Sequence, residues 1–227
     1  MDLQKQKDCL LINRILFCSA FFGETDLLKK SRLFPHLLEA GIGNLNAGIN
    51  TFEYLLKHPE IETIVFIGSC GAYPWAKIHT GSIVVSSEFD HLEIAAQLGI
   101  TKQILNDKSL IGFAKDNPTL LGLSDFAKKQ NQFTDRIFFS KKTNAPTCLS
   151  LKNLDSPPGK EWDGLDVENL ELYGLAIVAK KLNKNLFAIL SVTNQVGSEG
   201  SADWQKNWRD FSNSLQNLLL KWTDERR

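Results

Sequence analysis

The stretch TIVFIGSCGAYP, residues 63–74, is a continuous apolar run that leads into a glycine-containing turn. Three further runs have the same unbroken apolar character: ILFCSAF (15–21), SIVVSS (82–87) and LFAILSVT (186–193). Continuous rather than alternating apolar runs are typical of strands that are buried on both faces of a sheet. The four runs therefore predict an α/β fold in which a mixed, mostly parallel central sheet is flanked by helices.

Helical patterns lie between and after these strands. Residues 45–58 and 118–130 have such patterns, and residues 169–183 repeat apolar side chains at helical spacing. The last element, 203–222, places its large apolar residues on one stripe, which predicts a long C-terminal helix packed on the sheet. A cluster of helix breakers, DSPPGKEWDG (155–164), predicts a surface loop ahead of 169–183.

The composition excludes several classes of function. The 227 residues carry 26 Lys+Arg and 26 Asp+Glu, so neither a nucleic acid nor an anionic membrane surface is expected as a partner. No apolar run approaches the roughly 20 residues that a membrane span requires. The apolar stretch 10–22 is interrupted by Asn13 and Arg14 and lacks a small-residue cleavage site, which favours a strand over a signal peptide. We expect residues 1–227 to form a single domain of a cytoplasmic protein.

Cysteine and histidine spacing predicts no metal site. The cysteines form no CxxC pair, which favours reduced, buried thiols at Cys9, Cys18, Cys70 and Cys148. The histidines have no metal-ligand spacing with one another or with the cysteines: His36, His58, His79 and His91. We therefore expect neither zinc nor another cofactor. The segment GIGNLN (41–46) fails the GxGxxG pattern at its last position, and neither GxxxxGK[ST] nor GxSxG occurs.

Glu171 stands out on physical grounds alone. It precedes Leu175, Val178 and Leu182 by 4, 7 and 11 residues, so it falls on the apolar stripe of its predicted helix. A carboxylate in that position must find partners, because burying it unpaired is costly. Two interpretations stay open: an acid satisfied by backbone donors at a helix start, or a carboxylate that points into a ligand cleft at the strand ends.

Five short motifs occur in a specific order along residues 14–222. They are AFFGE (20–24), GIGNLNAG (41–48), GSCGAYP (68–74), ENLELYG (168–174) and SVTNQVG (191–197). This series resembles the superfamily of purine nucleoside phosphorylases and methylthioadenosine/adenosylhomocysteine nucleosidases. Within it, the chain is most similar to the futalosine hydrolase branch, which serves an alternative menaquinone pathway. The resemblance implies a nucleoside phosphorylase-like fold, a small-molecule purine nucleoside as substrate, and a homodimer.

The resemblance also implies roles for individual residues around the sugar. Glu24 matches the carboxylate that binds and activates the attacking water, and Glu171 matches the glutamate that holds the ribose hydroxyls. Leu170 replaces the usual methionine beside the sugar. Ser69 matches a serine near the sugar and the water, and Phe21 is expected against the ribose end.

Asn194 takes the place of the acid or amide that contacts the purine ring. Adenine-releasing nucleosidases have an aspartic acid there, and an amide cannot surrender a proton. A 6-oxopurine tolerates this loss better, because its negative charge delocalises onto the ring oxygen. We therefore expect hydrolysis of futalosine to hypoxanthine, although a register shift of one residue would present Gln195 instead. A second departure is Leu190, where nucleosidases usually have an arginine near the water and the ribose.

Anion binding separates a hydrolase from a phosphorylase. Phosphorolysis needs arginines or a comparable nest of donors around the phosphate. The first-strand loop offers Glu24 and Asp26 instead, which favours hydrolysis. Two alternatives stay open. One is an adenine-releasing nucleosidase acting on methylthioadenosine, adenosylhomocysteine or aminodeoxyfutalosine, and the other is a non-catalytic protein that binds purine nucleosides.

Overall fold

A computed structural model describes residues 12–102, 110–111, 122, 125–126 and 136–225. The strands are β1 (Ile15–Ser19), β2 (Leu37–Glu39), β3 (Thr63–Ala72), β4 (Ile83–Asp90), β5 (Leu110–Ile111), β6 (Ile137–Asn144), β7 (Val167–Glu168) and β8 (Asn185–Gln195). The helices are α1 (Asp26–Ser31), α2 (Gly43–Lys57), α3 (Ile94–Gln97), α4 (Leu172–Leu182) and α5 (Gly200–Asp224). Short 3₁₀ turns occupy Phe22–Glu24, Pro74–Ala76 and Lys160–Trp162.

The described strands form one mixed sheet that closes on itself. Strand β1 lies parallel to β2 and β3, and β3 lies parallel to β8. Strand β8 pairs antiparallel with β4, which also takes β5 antiparallel and β6 parallel. Strand β7 then joins β6 back to β3, so that β3, β8, β4, β6 and β7 form a ring. This arrangement confirms the predicted α/β class with a mostly parallel sheet.

Both faces of the sheet are covered, which explains the unbroken apolar runs. Along β3, Ile64 and Phe66 join one buried cluster, and Val65 and Ile67 join another on the opposite face. Leu175 of α4 lies in the first cluster, and the second contains the apolar stripe of α5: Leu215, Leu218, Leu219 and Trp222. The predicted C-terminal helix is thus confirmed.

The predicted glycine turn at 68–74 is wrong in its first half. Strand β3 continues through Ala72, because it pairs with β8 as far as Gln195 and with β7 at Gly71. Neither Gly68 nor Gly71 has a positive φ, so close packing rather than turn geometry requires glycine there. At Gly71 an added Cβ would lie 2.9 Å from Asn194 Nδ2.

Other boundaries also differ from the sequence prediction. The helix expected at 169–183 begins at Leu172, because the side chain of Asn169 accepts hydrogen bonds from the backbone N–H groups of Glu171 and Leu172. The loop at 155–164 is confirmed, although its Trp162 is buried. The helix expected at 118–130 lies mostly outside the described residues.

The exposure of the cysteine side chains agrees only in part with the sequence prediction. Cys18 and Cys70 are buried free thiols whose burial raises their pKa, whereas Cys148 is exposed, so the expectation of burial fails there. Cys9 lies outside the described residues. Within the described part of the chain, no helix is both long and apolar enough to cross a membrane.

Gly174 lets α4 approach α2 closely, and we expect Gly174→Ala to be strongly destabilising. An added Cβ would lie 2.0 Å from the backbone O of Asn44, whose side chain also accepts a hydrogen bond from Gly174 N–H at 2.9 Å. Separating the helices should lower the free energy of unfolding by about 3 kcal/mol, as overpacking does. Urea denaturation measures the change. Gly48→Ala is the matched control, because its Cβ would find ordinary space, 3.4 Å from Gly174 O. Equal stability of the two variants would contradict the prediction.

Candidate active site

A cavity of about 520 Å³ opens at the carboxyl ends of β1, β3 and β8. Crevices at this edge of an α/β sheet are the usual place for a ligand, and the volume suits a small molecule. All the residues predicted from the motifs lie on its wall: Phe21, Glu24, Ser69, Leu170, Glu171 and Asn194. Residues that are far apart in the chain therefore meet at one site.

Glu24 is a buried carboxylate held by three donors. It lies in the 3₁₀ turn after β1 and is 3% exposed. Its Oε1 accepts hydrogen bonds from Ser69 N–H and Ser69 Oγ–H, both at 3.0 Å, and its Oε2 accepts one from Ala20 N–H at 3.2 Å. The carboxylate is thus fixed between the end of β1 and the middle of β3.

Trp204 orients the serine that holds Glu24, a role that the sequence interpretation did not assign. Its indole Nε1–H, which can only donate, lies 3.0 Å from Ser69 Oγ. Because Ser69 Oγ accepts this bond, its own proton is directed to Glu24. Trp204 also lines the cavity and packs edge-on against Phe21, with ring centroids 6.2 Å apart. The C-terminal helix therefore closes the site beside the first strand.

Glu24 and Glu171 share this cavity, and the charge of Glu171 perturbs Glu24. Burial, together with the negative charge of Glu171, raises the pKa of Glu24 to about 8, although the hydrogen bonds from Ser69 and Ala20 lower it. Burial likewise raises the pKa of Glu171, against the hydrogen bond from Gly43 N–H. Such paired, shifted carboxyl groups in a cleft are typical of catalytic sites.

Glu171 lies at the N-cap of α4 rather than on the helical stripe that its spacing predicts. It is 5% exposed, and its Oε1 accepts a hydrogen bond of 3.0 Å from Gly43 N–H. Gly43 has φ +83°, a backbone conformation that glycine adopts without steric cost. Both open interpretations therefore describe part of the result: the acid has a backbone donor, and it also lines the cavity.

Asn194, not Gln195, faces the cavity. The side chain of Gln195 turns away and donates to Ile78 O at 2.9 Å. In Asn194, Oδ1 lies 2.8 Å from the hydroxyl of Thr193, and Nδ2 donates to Gln195 O at 2.9 Å. An amide nitrogen has two protons, so one remains for a ligand.

Two residues named in the sequence analysis do not face the site. Leu190 is fully buried in the core on β8 and is not among the cavity residues. Asp26 is turned away and pairs with Arg209, whose Nη2 lies 2.8 Å from Asp26 Oδ2. The expectation that Asp26 would repel an anion in the site is therefore wrong, and Glu24 alone of that pair lines the cavity.

A third buried acid, Glu168, lines the cavity and was missed by the sequence analysis. Its Oε2 accepts hydrogen bonds from Ser150 Oγ at 2.6 Å and from Tyr73 OH at 3.0 Å, and its Oε1 accepts one from Ser150 N–H at 3.0 Å. Burial raises its pKa. Glu168 belongs to the motif at 168–174, but no spacing signal marks its role, because its partners Tyr73 and Ser150 come from the segment after β3 and from the loop after β6.

Comparison with known proteins identifies the fold. No family model matches the chain, and no curated protein sequence matches it. Solved structures do match. The methylthioadenosine/adenosylhomocysteine nucleosidase from Colwellia psychrerythraea, in complex with adenine, has a TM-score of 0.73 at 16% identity over 92% of this chain and 94% of that one.

Two further solved structures agree with this match. The corresponding nucleosidase from Neisseria meningitidis, with methylthio-immucillin-A, has a TM-score of 0.75 at 13% identity over 93% and 98% of the two chains. The Streptococcus pneumoniae enzyme with 8-aminoadenine has a TM-score of 0.72 at 14% identity over 92% and 98%. The chain therefore has the fold of these methylthioadenosine/adenosylhomocysteine nucleosidases, as the motifs predict.

Proposed function

We propose that this protein is a purine nucleosidase, which hydrolyses the N-ribosidic bond of a purine nucleoside. The observation that carries the proposal is the pair of buried carboxylates, Glu24 and Glu171, on one cavity at the carboxyl ends of the strands. A protein that only binds a nucleoside has little use for a carboxylate held by Ser69 with a pKa raised to about 8. That pKa suits a general base that works at weakly alkaline pH.

Glu24, Glu171 and Asn194 each have a separate role in the proposed reaction. Glu24 takes a proton from a water molecule whose oxygen attacks the anomeric carbon, and the bond from that carbon to the purine nitrogen breaks. Its electron pair leaves with the base, which accepts a hydrogen bond from Asn194 Nδ2. The ribosyl group has oxocarbenium character in the transition state, as in glycoside hydrolysis. The anionic Glu171 beside the sugar stabilises that positive charge.

Hydrolysis, rather than phosphorolysis, suits the electrostatics of the cavity. Among the described residues on its wall there is no lysine or arginine. Arg209 is engaged with Asp26 and with Gly23 O, away from the cavity. A phosphate would meet the negative charge of Glu171 without a cation to offset the repulsion. Water carries no charge and avoids this cost.

The finer proposal is that the base is a 6-oxopurine, as in futalosine. Gly71 on β3 pairs with Asn194 on one side and with Glu168 on the other. Adjacent strands are about 4.8 Å apart, so the two polar residues are about 10 Å apart across Gly71. Asn194 can donate to the imidazole side of a purine between them. Glu168 Oε1 accepts one hydrogen bond within the described structure and can accept another, from the N1–H of hypoxanthine.

An adenine nucleoside is the second candidate, favoured by the solved neighbours. The Colwellia psychrerythraea enzyme binds adenine and the Streptococcus pneumoniae enzyme binds 8-aminoadenine. Adenine has a lone pair at N1 instead of a proton, and that lone pair would face the oxygen atoms of Glu168. We therefore rank the 6-oxopurine first.

Base release tests the proposal directly. Futalosine, aminodeoxyfutalosine, methylthioadenosine, adenosylhomocysteine and inosine are incubated with the protein, with and without phosphate, and the products are separated by chromatography. Hypoxanthine released from futalosine without phosphate is the expected result. Preferential adenine release would move the assignment to the adenine nucleosidases. If no nucleoside is cleaved, the protein is a binding protein that has kept the fold.

We expect Asn194→Asp to shift the base preference towards adenine. A carboxylic acid can give a proton to the leaving purine, which adenine needs more than hypoxanthine does. The ratio of kcat/KM for methylthioadenosine to that for futalosine should rise about tenfold or more, which is the lower end of general-acid effects. Parallel kinetic assays on the two nucleosides measure the ratio. An unchanged ratio would refute Asn194 as the selector.

We also propose that the protein forms a homodimer through the start of α2. Ile42, Leu45 and Ile49 are spaced along one face and are 61%, 75% and 50% exposed, and Ile42 also lines the cavity. Exposed apolar clusters of this kind mark association surfaces. Leu45→Glu should convert a dimer to a monomer in light scattering after gel filtration, while Leu56→Glu, near the other end of the helix, should not. A monomeric parent protein would contradict the proposal.

A further inference from the structure

We propose that His36, His58 and Glu60 form a binding site for a divalent transition metal of the zinc class. Their ligand atoms, His36 Nε2, His58 Nδ1 and a carboxylate oxygen of Glu60, all lie within 4.8 Å of one another. These residues precede β2 and β3, at the amino ends of the strands. The cavity lies at the opposite ends, so this proposal is independent of the proposed nucleosidase activity.

The three ligands are presented by ordered backbone. His36 O accepts a hydrogen bond from Phe17 N–H on β1, at 2.9 Å. His58 is the C-cap of α2, and its own carbonyl accepts from Ile61 N–H at 3.2 Å. The ammonium group of Lys184 donates to Pro59 O at 3.1 Å and to Ile61 O at 2.5 Å, which holds the turn that carries Glu60. A metal would therefore find its ligands already assembled.

The ligand atoms are close to the separations that they would have around a tetrahedral ion. His58 Nδ1 lies 3.1 Å from Glu60 Oε1, and His36 Nε2 lies 3.7 Å from the same oxygen. Ligands about 2.0–2.1 Å from zinc in tetrahedral geometry are about 3.3 Å from one another. Small side-chain rotations would bring all three atoms to that spacing. Glu60 is half-exposed, which leaves the fourth position open to water.

Tyr54 supplies an outer contact of the kind that metal-binding histidines have. Its hydroxyl lies 3.1 Å from His36 Nδ1. If Nδ1 carries the proton and donates it to Tyr54, Nε2 keeps a lone pair that faces Glu60. The Tyr54 ring also stacks on His58, with ring centroids 4.4 Å apart. One residue thus fixes the orientation of both imidazoles.

The donor set selects the class of ion. Two imidazoles and one carboxylate suit Zn²⁺ and its transition-metal neighbours, whereas Mg²⁺ and Ca²⁺ prefer oxygen ligands throughout. The sequence predicted no zinc site because His36 and His58 are 22 positions apart. Bound metal would link the end of α2 to the segments before β2 and β3 and would stabilise the folded chain by mass action.

Calorimetric titration of the chelator-treated full-length protein with ZnCl₂ tests the site. We expect binding of Zn²⁺ with a rise in Tm, and at least a tenfold weaker binding constant in His36→Ala, in His58→Ala and in Glu60→Ala. Tyr54→Phe should weaken binding by about tenfold, as loss of an outer partner does. His79→Ala, at an exposed histidine elsewhere, is the matched control and should bind as the parent does.

Two outcomes would overturn the proposal. One is the absence of Zn²⁺ binding to the parent protein. The other is equal binding by the parent, His36→Ala, His58→Ala and Glu60→Ala, which would place the ion elsewhere, for example on the exposed thiol of Cys148. The absorption spectrum of the Co²⁺ form distinguishes these cases, because only a thiolate ligand adds a sulfur-to-metal charge-transfer band. Circular dichroism of each variant confirms that it is folded.

Discussion

Glu24→Gln should lower kcat by at least 10³-fold while the chain still folds. The amide keeps the shape of the side chain but cannot take a proton from water, and general-base catalysis contributes about 10²–10⁴-fold. Loss of the carboxylate also disturbs the three hydrogen bonds from Ser69 and Ala20 that position it. Steady-state assays of hypoxanthine release from futalosine measure the effect. Glu53→Gln, an exposed carboxylate on α2, should retain full activity as the control.

The same variant should change how stability depends on pH. The folded chain keeps the Glu24 proton up to about pH 8, whereas the unfolded chain releases it near 4.5. The stability that this difference provides is complete below pH 4.5 and is lost as the pH rises through about 8. The parent should therefore lose stability relative to Glu24→Gln by a few kcal/mol over this interval, since one pKa unit corresponds to about 1.4 kcal/mol.

Parallel pH profiles of the two proteins would refute the raised pKa of Glu24. The pH dependence of kcat/KM tests the ionisation of Glu24 independently. Because the base must be ionised, kcat/KM of the parent should rise with pH and level off above about 8. A rate that falls over this range would exclude Glu24 as the base and would indicate an acid in its place.

Glu171→Gln should also lower kcat strongly, for a different physical reason. A neutral amide keeps an oxygen for the Gly43 N–H but removes the negative charge beside the sugar. Loss of one preorganised electrostatic contact costs about 10²–10³-fold in kcat, and loss of a full charge in a buried site should reach the upper end of that range. Rapid-quench or steady-state assays measure kcat. Titration of the tryptophan fluorescence with the nucleoside measures binding separately.

The pH profile of Glu171→Gln tests whether the two carboxyl groups interact. Removing the charge of Glu171 takes away a cause of the raised pKa of Glu24, so the residual activity of Glu171→Gln should level off at a lower pH than that of the parent. A residual pH profile identical to the parent's would show that the two carboxyl groups do not interact. Normal rates in both Glu24→Gln and Glu171→Gln would remove the mechanism proposed here.

Much of the site was accessible from the sequence because motif order identifies residues that the fold brings together. Four of the five short motifs supplied Glu24, Ser69, Glu171 and Asn194, and all four residues line one cavity. The resemblance also gave Leu190 a place near the water, but the structure buries it in the core. A residue's position in an aligned motif does not fix which way its side chain points, because that depends on how the surrounding residues pack.

Other features have no local signal at all. Strand β7 has two residues and exists only because β3 and β6 pair with it, yet it carries Glu168 to the cavity. Similarly, the bond from Trp204 to Ser69 spans 135 residues. Neither periodicity nor spacing can reveal such contacts, because both describe only neighbours along the chain.

The sequence by itself determined the α/β class, the buried strands and the apolar stripe of α5, because these depend on which faces of each element must leave water. Only the tertiary structure decided the raised pKa of Glu24, the hydrogen bonds from the start of α4 to Asn169, and the meeting of His36 with His58 and Glu60. Burial, charge interaction and ligand geometry depend on distances between remote residues, and those distances exist only once the chain has folded.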